Sequence, residues 1–198
     1  MLALFPLDVV LFPGAPLPLH IFEPRYKEMI GECIAQKRAF GLVRANKDAL
    51  SEIGCSAVIV NVVKTYEDGR LDIAALGKQR FEIVQLNQER SFLQGEVLFF
   101  EDEPNDVKPG DVETAIELHE KLLDVLGEKA QVEPARGGIS FQLAHDLPVD
   151  LDFKQALLEM KSEPARVETL IEYYRAMIPK VEKTLRARDK ASGNGHVH

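Results

Sequence analysis

Short apolar runs alternate with prolines over residues 4–26, and this pattern predicts extended chain. Five of the eleven prolines lie here, and each would remove a hydrogen-bond donor and clash with the preceding turn of a helix. The pattern predicts short strands at Leu2–Phe5, Val9–Phe12 and Leu17–Ile21, separated by prolines and a Pro-Gly turn. A segment this apolar and stiff needs burial, so we expect these residues, called the seam below, to tie the fold together.

The next residues predict one helix followed by several strands. Apolar side chains at helical spacing after Pro24 predict a short amphipathic helix that begins at this proline. Strand-like runs follow at Ala39–Ala45 and, after a polar loop over 46–54, on both sides of Asp68–Gly69. Asp-Gly between two such runs is the strongest short-range hairpin signal, because both central residues of the expected turn take positive φ. The sequence therefore predicts a hairpin at Asp68–Gly69.

The strand after this turn is interrupted by Gly77, which predicts a bend or bulge before the strand resumes at Phe81. A last strand is predicted over Phe92–Asp102. Many short strands with turn and bulge signals predict a small closed or half-closed barrel over residues 1–103.

The second half of the chain has helical periodicity. Residues 104–110 are polar, contain two prolines and a glycine, and predict a linker. Apolar spacing over 111–190 predicts a helix capped by Asp111 and ended by Gly127, two short helices, the second capped by Asp152, and a long helix capped by Ser162. Residues 191–198 have the composition of a flexible tail. Strands followed by helices predict the α+β class.

Composition narrows the partners. The formal net charge of −8 repels phosphate backbones, so we expect no DNA binding and regard RNA binding as disfavoured. No apolar run reaches the roughly 18 residues of a membrane span, and the start lacks the basic residues of a signal peptide. Cys33 and Cys55 match no zinc or redox spacing. We therefore expect no membrane association and a cytoplasmic protein with reduced thiols.

Motifs for catalysis are missing from the sequence, which contains no P-loop, no dinucleotide-binding glycine pattern and no nucleophile elbow. The histidines His20, His119 and His145 form no pair at metal-ligand spacing, and His196 and His198 lie in the predicted tail. We predict no catalytic residue, no metal and no cofactor. A hydrolase stays open as an alternative if a pocket joins Ser140 or a cysteine to a histidine.

Charged residues have structural interpretations. Arg25 is expected to pair with Asp8 or another acid of the seam, with ligand binding as the alternative. The acidic residues 101–103 are expected to solubilise the end of a strand, and Asp150 and Asp152 are expected to cap a helix.

Three motifs carry a resemblance. The opening FPLDVVLFPGAPLPLHIFEPRY, the central GCSAVIVNVVKTYEDGRLDIAALGKQRFEIVQL and the later DLPVDLDFKQALLEMKSEPARVETLIEYY occur in the order found in the LON substrate-binding domain, the N-terminal domain of Lon ATP-dependent proteases. The chain resembles that family from about Phe5 to Tyr174. The resemblance implies a PUA-like pseudo-barrel followed by a helical bundle. No ATPase or protease motif follows, so we expect a stand-alone form without either activity.

The resemblance also implies a function, namely non-catalytic binding of unfolded or degron-bearing protein segments or of a partner protein, as an adaptor or regulator of proteolysis. We expect a peptide-binding cleft between strands and the first long helix, and its predicted residues are Leu17, Leu19, Ile21, Phe22 and Arg25. Binding of a small molecule or RNA, as in other PUA-like barrels, is the alternative and rests on fold analogy alone. The sequence does not indicate the oligomeric state.

Overall fold

The computed structural model describes residues 1–46, 49–104, 106–128 and 138–193. These residues form six strands and five helices, which confirms the α+β class. Their bounds, in chain order, are β1 Leu2–Leu7, β2 Pro16–Ile21, α1 Pro24–Gln36, β3 Phe40–Ala45, β4 Leu50–Thr65, β5 Leu71–Asn87, β6 Gln94–Phe100, α2 Pro109–Leu126, α3 Ile139–Asp146, α4 Leu151–Glu159 and α5 Glu163–Gly193.

The strands form one sheet in the order β2-β5-β4-β3-β1-β6, and an additional β5–β6 pairing closes five of them into a ring. All neighbouring strands are antiparallel except β1 and β3, which are parallel. The ring uses residues 50–57 of β4 and 80–87 of β5. We call it the closed ring, and it matches the predicted barrel.

Beyond the ring, the two longest strands continue as a hairpin. Residues 58–65 of β4 pair with 71–76 of β5, and β2 adds to the other side of β5. We call this three-stranded extension the arm. The sheet therefore contains a closed part and an open part that share β4 and β5.

The seam is buried where it crosses β5. Leu4, Leu11 and Phe12 are almost fully buried, and the backbone N–H of Gly77 donates to the Ala15 carbonyl at 2.9 Å. A Cβ on Gly77 would lie 2.2 Å from the carbonyl oxygen of Phe12, so only glycine permits this close approach. β5 continues through Gly77 without a break, but its pairing with β4 shifts register between Gly77 and Arg80, so the bulge predicted at this point is confirmed.

Two local predictions in the strand region are wrong. Val9–Phe12 is not a strand. Leu11 and Phe12 are buried by packing rather than by strand pairing, as when Phe12 stacks on Phe141 of α3 at 5.3 Å. The polar loop predicted over 46–54 ends early, because β4 already begins at Leu50.

The hairpin at Asp68–Gly69 is confirmed, but its turn differs from the expected one. Gly69 has a φ of 79°, while Lys37 is the one non-glycine residue with positive φ in the described part of the chain. The N–H of Gly69 donates to the Tyr66 carbonyl, and the N–H of Tyr66 donates to the Arg70 carbonyl. This is a longer loop with glycine at the left-handed position, a common hairpin connection.

The helix ends show how local sequence determines the bounds. α2 begins at Pro109 with Lys108 as N-cap, so the predicted cap Asp111 instead lies in the first turn. A carboxylate there interacts favourably with the helix dipole. Gly127 ends α2 as predicted, with a left-handed φ of 77°. α4 is capped by Asp150, whose carboxylate accepts from the Phe153 N–H at 2.8 Å, rather than by Asp152.

The chain divides into two compact units. The first contains the six strands with α1, α3 and α4, and the second contains α2 and α5. In the second unit, buried apolar residues of both helices pack together, and the His119 ring nitrogen Nδ1 lies 3.0 Å from the Tyr174 hydroxyl. The predicted division into 1–103, a linker over 104–110, helices over 111–190 and a tail over 191–198 stays a prediction. Within the described residues, no helix combines the length and apolar character needed to cross a bilayer.

Candidate functional site

The predicted binding residues lie on or beside β2, the outermost strand of the arm. Side chains alternate along the strand, so Leu17 and Leu19 are half-buried and Ile21 is 1% exposed, while Phe22 just beyond it is 59% exposed. Pro16, Pro18 and His20 are exposed on the other face. The predicted residues are thus neighbours along the chain, but the structure divides them between two sides of the strand.

Arg25 lies in the first turn of α1 and pairs with Glu23 rather than with Asp8. Its Nε donates to the Glu23 carboxylate at 2.9 Å, and its guanidinium covers the Tyr26 ring at 4.5 Å. Asp8 instead lies 3.6 Å from Arg44. Arg25 therefore forms a local, exposed ion pair and keeps donors that face solvent.

An aromatic cluster that sequence reasoning missed lies at the end of the arm. His20 stacks on Phe22 with ring centres 6.0 Å apart and meets the edge of Tyr66 at 5.7 Å. Asp72 links His20 to Tyr66, because its carboxylate lies 2.6 Å from His20 Nδ1 and accepts a hydrogen bond from the Tyr66 hydroxyl at 2.7 Å. The register His20↔Asp72 across β2 and β5 creates this contact, and 52 residues separate the two in sequence, so no local signal indicates it.

These hydrogen bonds change two acid–base equilibria. The contacts from His20 and then Tyr66 lower the pKa of Asp72 below its ordinary range, since they favour the ionised carboxylate. The same carboxylate raises the pKa of Tyr66. The cluster is therefore held by an ionised Asp72 at neutral pH, and it fixes the orientation of the His20 ring against Phe22.

Prolines determine what the free edge of β2 can bind. Pro16 and Pro18 occupy alternate positions opposite Leu76 and Ala74 of β5, and a proline cannot donate a ladder hydrogen bond. The inter-strand bonds therefore fall on the residues between them, and the missing N–H groups face the open edge. A further strand would find few donors there, so side chains rather than backbone must hold any peptide on this strand.

A second surface lies on the other edge of the arm. The end of α1, with Ile34, Lys37 and Arg38, and residues 58–62 of β4 enclose a groove of about 570 Å³. Val60 and Val63 are each 64% exposed. The sequence shows apolar residues on both faces of this strand, but it does not reveal that β3 covers only the first half. We call this space the β4 groove.

The part of β5 that belongs to the closed ring is anchored through Arg80, the arginine of the GKQRF motif. This side chain is 3% exposed, donates to the carbonyls of Leu158 at 2.9 Å and Met160 at 2.5 Å, and pairs with Asp102. The predicted role of the 101–103 acids as solubilising residues is thus wrong for Asp102, which anchors Arg80. Asp152 likewise pairs with Arg44 at 2.6 Å instead of capping a helix.

The candidate nucleophiles are buried in the core. Cys33 and Cys55 are free and buried, and burial raises the pKa of the Cys55 thiol to about 12, which keeps it protonated and unreactive at neutral pH. Ser140 is buried in α3. Among the residues that the structure describes, no group of three His, Cys, Asp or Glu residues could hold a metal ion. His196 and His198 lie outside that range.

Comparisons with known proteins identify the family of this chain. The model of the ATP-dependent protease La (LON) substrate-binding domain matches residues 1–175. A Lon protease of Parabacteroides distasonis is 30% identical over 65% of this chain and 16% of its own length, and Lon protease 1 of Hydrogenovibrio crunogenus is 25% identical over 92% of this chain and 24% of its own. This chain thus spans about a quarter or less of the length of these two relatives.

Solved structures give the same answer for the fold. The Lon N-terminal domain protein of Xanthomonas campestris superimposes with a TM-score of 0.70 at 27% identity, covering 87% of this chain and 97% of that one. The N-terminal domain of the Mycobacterium avium complex Lon protease has a TM-score of 0.62 at 16% identity, over 88% and 97% of the two chains. With the family match over residues 1–175, these findings show that the chain belongs to the LON substrate-binding domain family.

Proposed function

We propose that this chain binds segments of protein substrates at β2 and that it catalyses no reaction itself. The family is described as a substrate-binding domain, and the relatives are Lon proteases. The observation that carries the proposal is Phe22, a large aromatic side chain that is 59% exposed beside the proline-stiffened strand. Exposed aromatic anchors on rigid backbone are typical of surfaces that capture apolar segments.

The predicted residues divide into contacts and support. Phe22 is the anchor, and its stacking on His20 limits its rotamers, so less entropy is lost on binding. Leu17 and Leu19 are half-buried on the other side of the strand, where they offer apolar edges to a client that extends around its free edge. Ile21 lies in the core and holds the strand in place. Arg25, which is paired with Glu23, offers its remaining N–H donors at the end of the surface.

The clients we propose are unfolded or degron-bearing segments, or a partner protein, with the chain as an adaptor or regulator of proteolysis in the cytoplasm. Two free, buried cysteines agree with a reducing compartment. A net charge of −8 favours protein clients over DNA or RNA. Participation of the first long helix in the binding surface stays a prediction.

The test is the affinity for a permanently unfolded, carboxymethylated model protein, measured by fluorescence anisotropy with the wild type and Phe22→Ala. We expect about a tenfold loss of affinity, the size of a single anchor residue, with an unchanged melting temperature. Leu98→Ala is the matched control, because Leu98 is 63% exposed on the closed ring and its removal should leave the affinity unchanged.

Two results would overturn the proposal. One is that the wild-type chain binds no unfolded protein even when the unfolded protein is present at well above 100-fold excess. The other is an equal loss of affinity with Phe22→Ala and with Leu98→Ala, which would mean that the unfolded protein adheres unspecifically to exposed apolar residues. A labelled single-stranded RNA that binds with steep salt dependence would favour the alternative PUA-like function instead.

A further inference from the structure

The β4 groove exists because one strand outruns its neighbour. β3 pairs with β4 only as far as Phe40↔Ala57, while β5 stays paired with β4 to Thr65↔Leu71. In the described part of the chain, no strand pairs with residues 58–65 on the side away from β5. The last turn of α1 lies beside the start of this edge and forms the other wall of the groove.

Two irregularities change what this edge presents. The pairing moves from Ile59↔Ala75 to Asn61↔Ala74, and from Val62↔Ile73 to Lys64↔Asp72, so Val60 and Val63 are extra residues in bulges. A bulge disrupts the ladder and redirects its side chain, which agrees with the high exposure of both valines. The edge therefore offers apolar side chains rather than a regular row of backbone donors and acceptors.

The charge around the groove is opposite to that of the chain. Lys37 and Arg38 line it, and none of its lining residues is acidic, although the whole chain carries a net charge of −8. Neither cation forms an ion pair among the described residues, and Glu32, whose pKa is lowered partly by Arg38, is hydrogen bonded to Arg90. An apolar floor with two available cations at its rim is complementary to an apolar segment that carries a carboxylate.

We propose that the β4 groove binds apolar segments of protein clients that carry an acidic side chain next to their apolar residues. The apolar side chains contact Ile34, Val60 and Val62, and the carboxylate pairs with Lys37 or Arg38. The volume of about 570 Å³ falls in the range of pockets that enclose a ligand of several side chains. This inference rests on the proposed function in that both require protein clients, but it names a separate surface and a client chemistry.

A second copy of the chain is the less suitable occupant. In an antiparallel pairing of two copies over residues 58–65, Lys64 of one copy lies opposite Ile59 of the other, in the groove that Arg38 lines. Like charges would then meet in an apolar setting, where they repel most strongly. The two net charges of −8 oppose association further.

The test uses two labelled peptides with blocked ends, identical in their leucines and valines, one with two glutamates and the other with two glutamines. Fluorescence anisotropy at low salt should show tighter binding of the glutamate peptide. Arg38→Glu should lower the affinity for that peptide about fivefold, because the change removes an exposed ion pair and adds a charge repulsion. Lys78→Glu makes the same charge change at an exposed site outside the groove and should have no effect.

A charge swap excludes a general folding effect. A third peptide with two lysines should bind Arg38→Glu better than it binds the wild type. Val60→Ser should lower the affinity for all three peptides, because it removes an apolar contact at an exposed site. It should not change the melting temperature. Binding of the glutamate peptide should also fall as salt rises.

The outcomes separate this inference from the proposed function. If Phe22→Ala abolishes binding of the unfolded model protein while the peptides ignore charge and Arg38→Glu, the groove inference fails and the proposed function stands. If the chain binds neither the unfolded protein nor any peptide, both fail. Two further results would overturn the inference. If the glutamine peptide with a free C-terminus binds more tightly than the glutamate peptide, the occupant is a chain terminus. If sedimentation shows a dimer that Val60→Ser dissociates, the occupant is a second copy of the chain.

Discussion

The closed ring and the arm are built from the same two long strands, yet they differ in how completely the edges of their strands are paired. In the ring, Leu4, Val43 and Phe81 form a fully buried cluster and every strand has two neighbours. In the arm, β2 and the end of β4 each have one open edge, and Phe22 and Val60 face solvent. We propose that the ring supplies stability, while the arm supplies surface for binding.

The two open edges of the arm are themselves protected by different means. β2 carries prolines at the positions that face outward, and β4 carries two bulges and Lys64. Proline, bulges and lysine are all known ways to prevent edge-to-edge pairing of sheets. Apolar side chains can thus stay exposed for clients without making the chain a template for aggregation.

The largest expected effect concerns the crossing between the two regions. Gly77→Ala would place a Cβ 2.2 Å from the backbone oxygen of Phe12, and backbone cannot move aside cheaply, so we expect a loss of about 3 kcal/mol or more in the free energy of unfolding. Urea denaturation measures it. Gly31→Ala is the control, since nothing lies within 4 Å of its Cβ and α1 should gain up to about 1 kcal/mol. Wild-type stability of Gly77→Ala would contradict the role of this crossing.

Two arginines sharpen the comparison between ring and arm. Arg80 is buried in the ring and bonded to two carbonyls and Asp102, so Arg80→Ala should cost about 3 kcal/mol. Arg70 pairs with Asp68 on the exposed arm hairpin, and Arg70→Ala should cost less than about 1 kcal/mol. Similar costs for the two variants in urea denaturation would mean that the two regions do not differ as described.

Removing the prolines should affect association more than folding. The double change Pro16→Thr and Pro18→Thr restores two N–H groups to the open edge of β2, which then becomes a template for another strand. We expect concentration-dependent self-association in sedimentation velocity, with a change in unfolding free energy of about 1 kcal/mol or less. A matched change, Pro109→Thr at the start of α2, should leave the chain unassociated. A strictly monomeric double variant would show that the edge is protected by something else.

The smallest expected effect is the pH dependence of the arm cluster. The pKa of Asp72 is lowered mainly by its contact with His20, so in the unfolded chain, where it is about 3.9, this carboxyl binds a proton more readily. Its stabilising effect is therefore complete above that value and is lost as the pH falls through the lower folded pKa.

The comparison of wild type with Asp72→Asn tests this sign. Their difference in unfolding free energy should be fully present well above the unfolded pKa of about 3.9 and should shrink steadily on acidification below it. A difference that grows on acidification would contradict the assigned direction of the shift.

Local sequence predicts the parts of this fold that depend on neighbours in the chain. Pro24 begins α1, Gly127 ends α2, and Asp68–Gly69 forms the hairpin, because each depends on the backbone preferences of a few residues. Val9–Phe12 is a failure of the same reasoning. Its short apolar run resembles a strand, but contacts with β5 and α3 decide its conformation.

The candidate site is predicted only in part, for the same physical reason. Phe22 is indicated by its place beside the proline-rich strand. Tyr66 and Asp72, which contact the His20 ring on which Phe22 stacks, become neighbours of His20 only through strand register. The β4 groove depends on where β3 stops, which no periodicity in residues 58–65 reveals. Pairings between distant segments carry the information that is missing from a local pattern.

The most direct test of the account is hydrogen–deuterium exchange of the intact chain with and without a saturating unfolded client. We predict that the client slows exchange at His20–Phe22 and over residues 58–66, and leaves residues 80–87 of the closed ring unchanged. Protection confined to the ring or to α2 and α5, with none in the arm, would contradict the claim that the arm is the binding region.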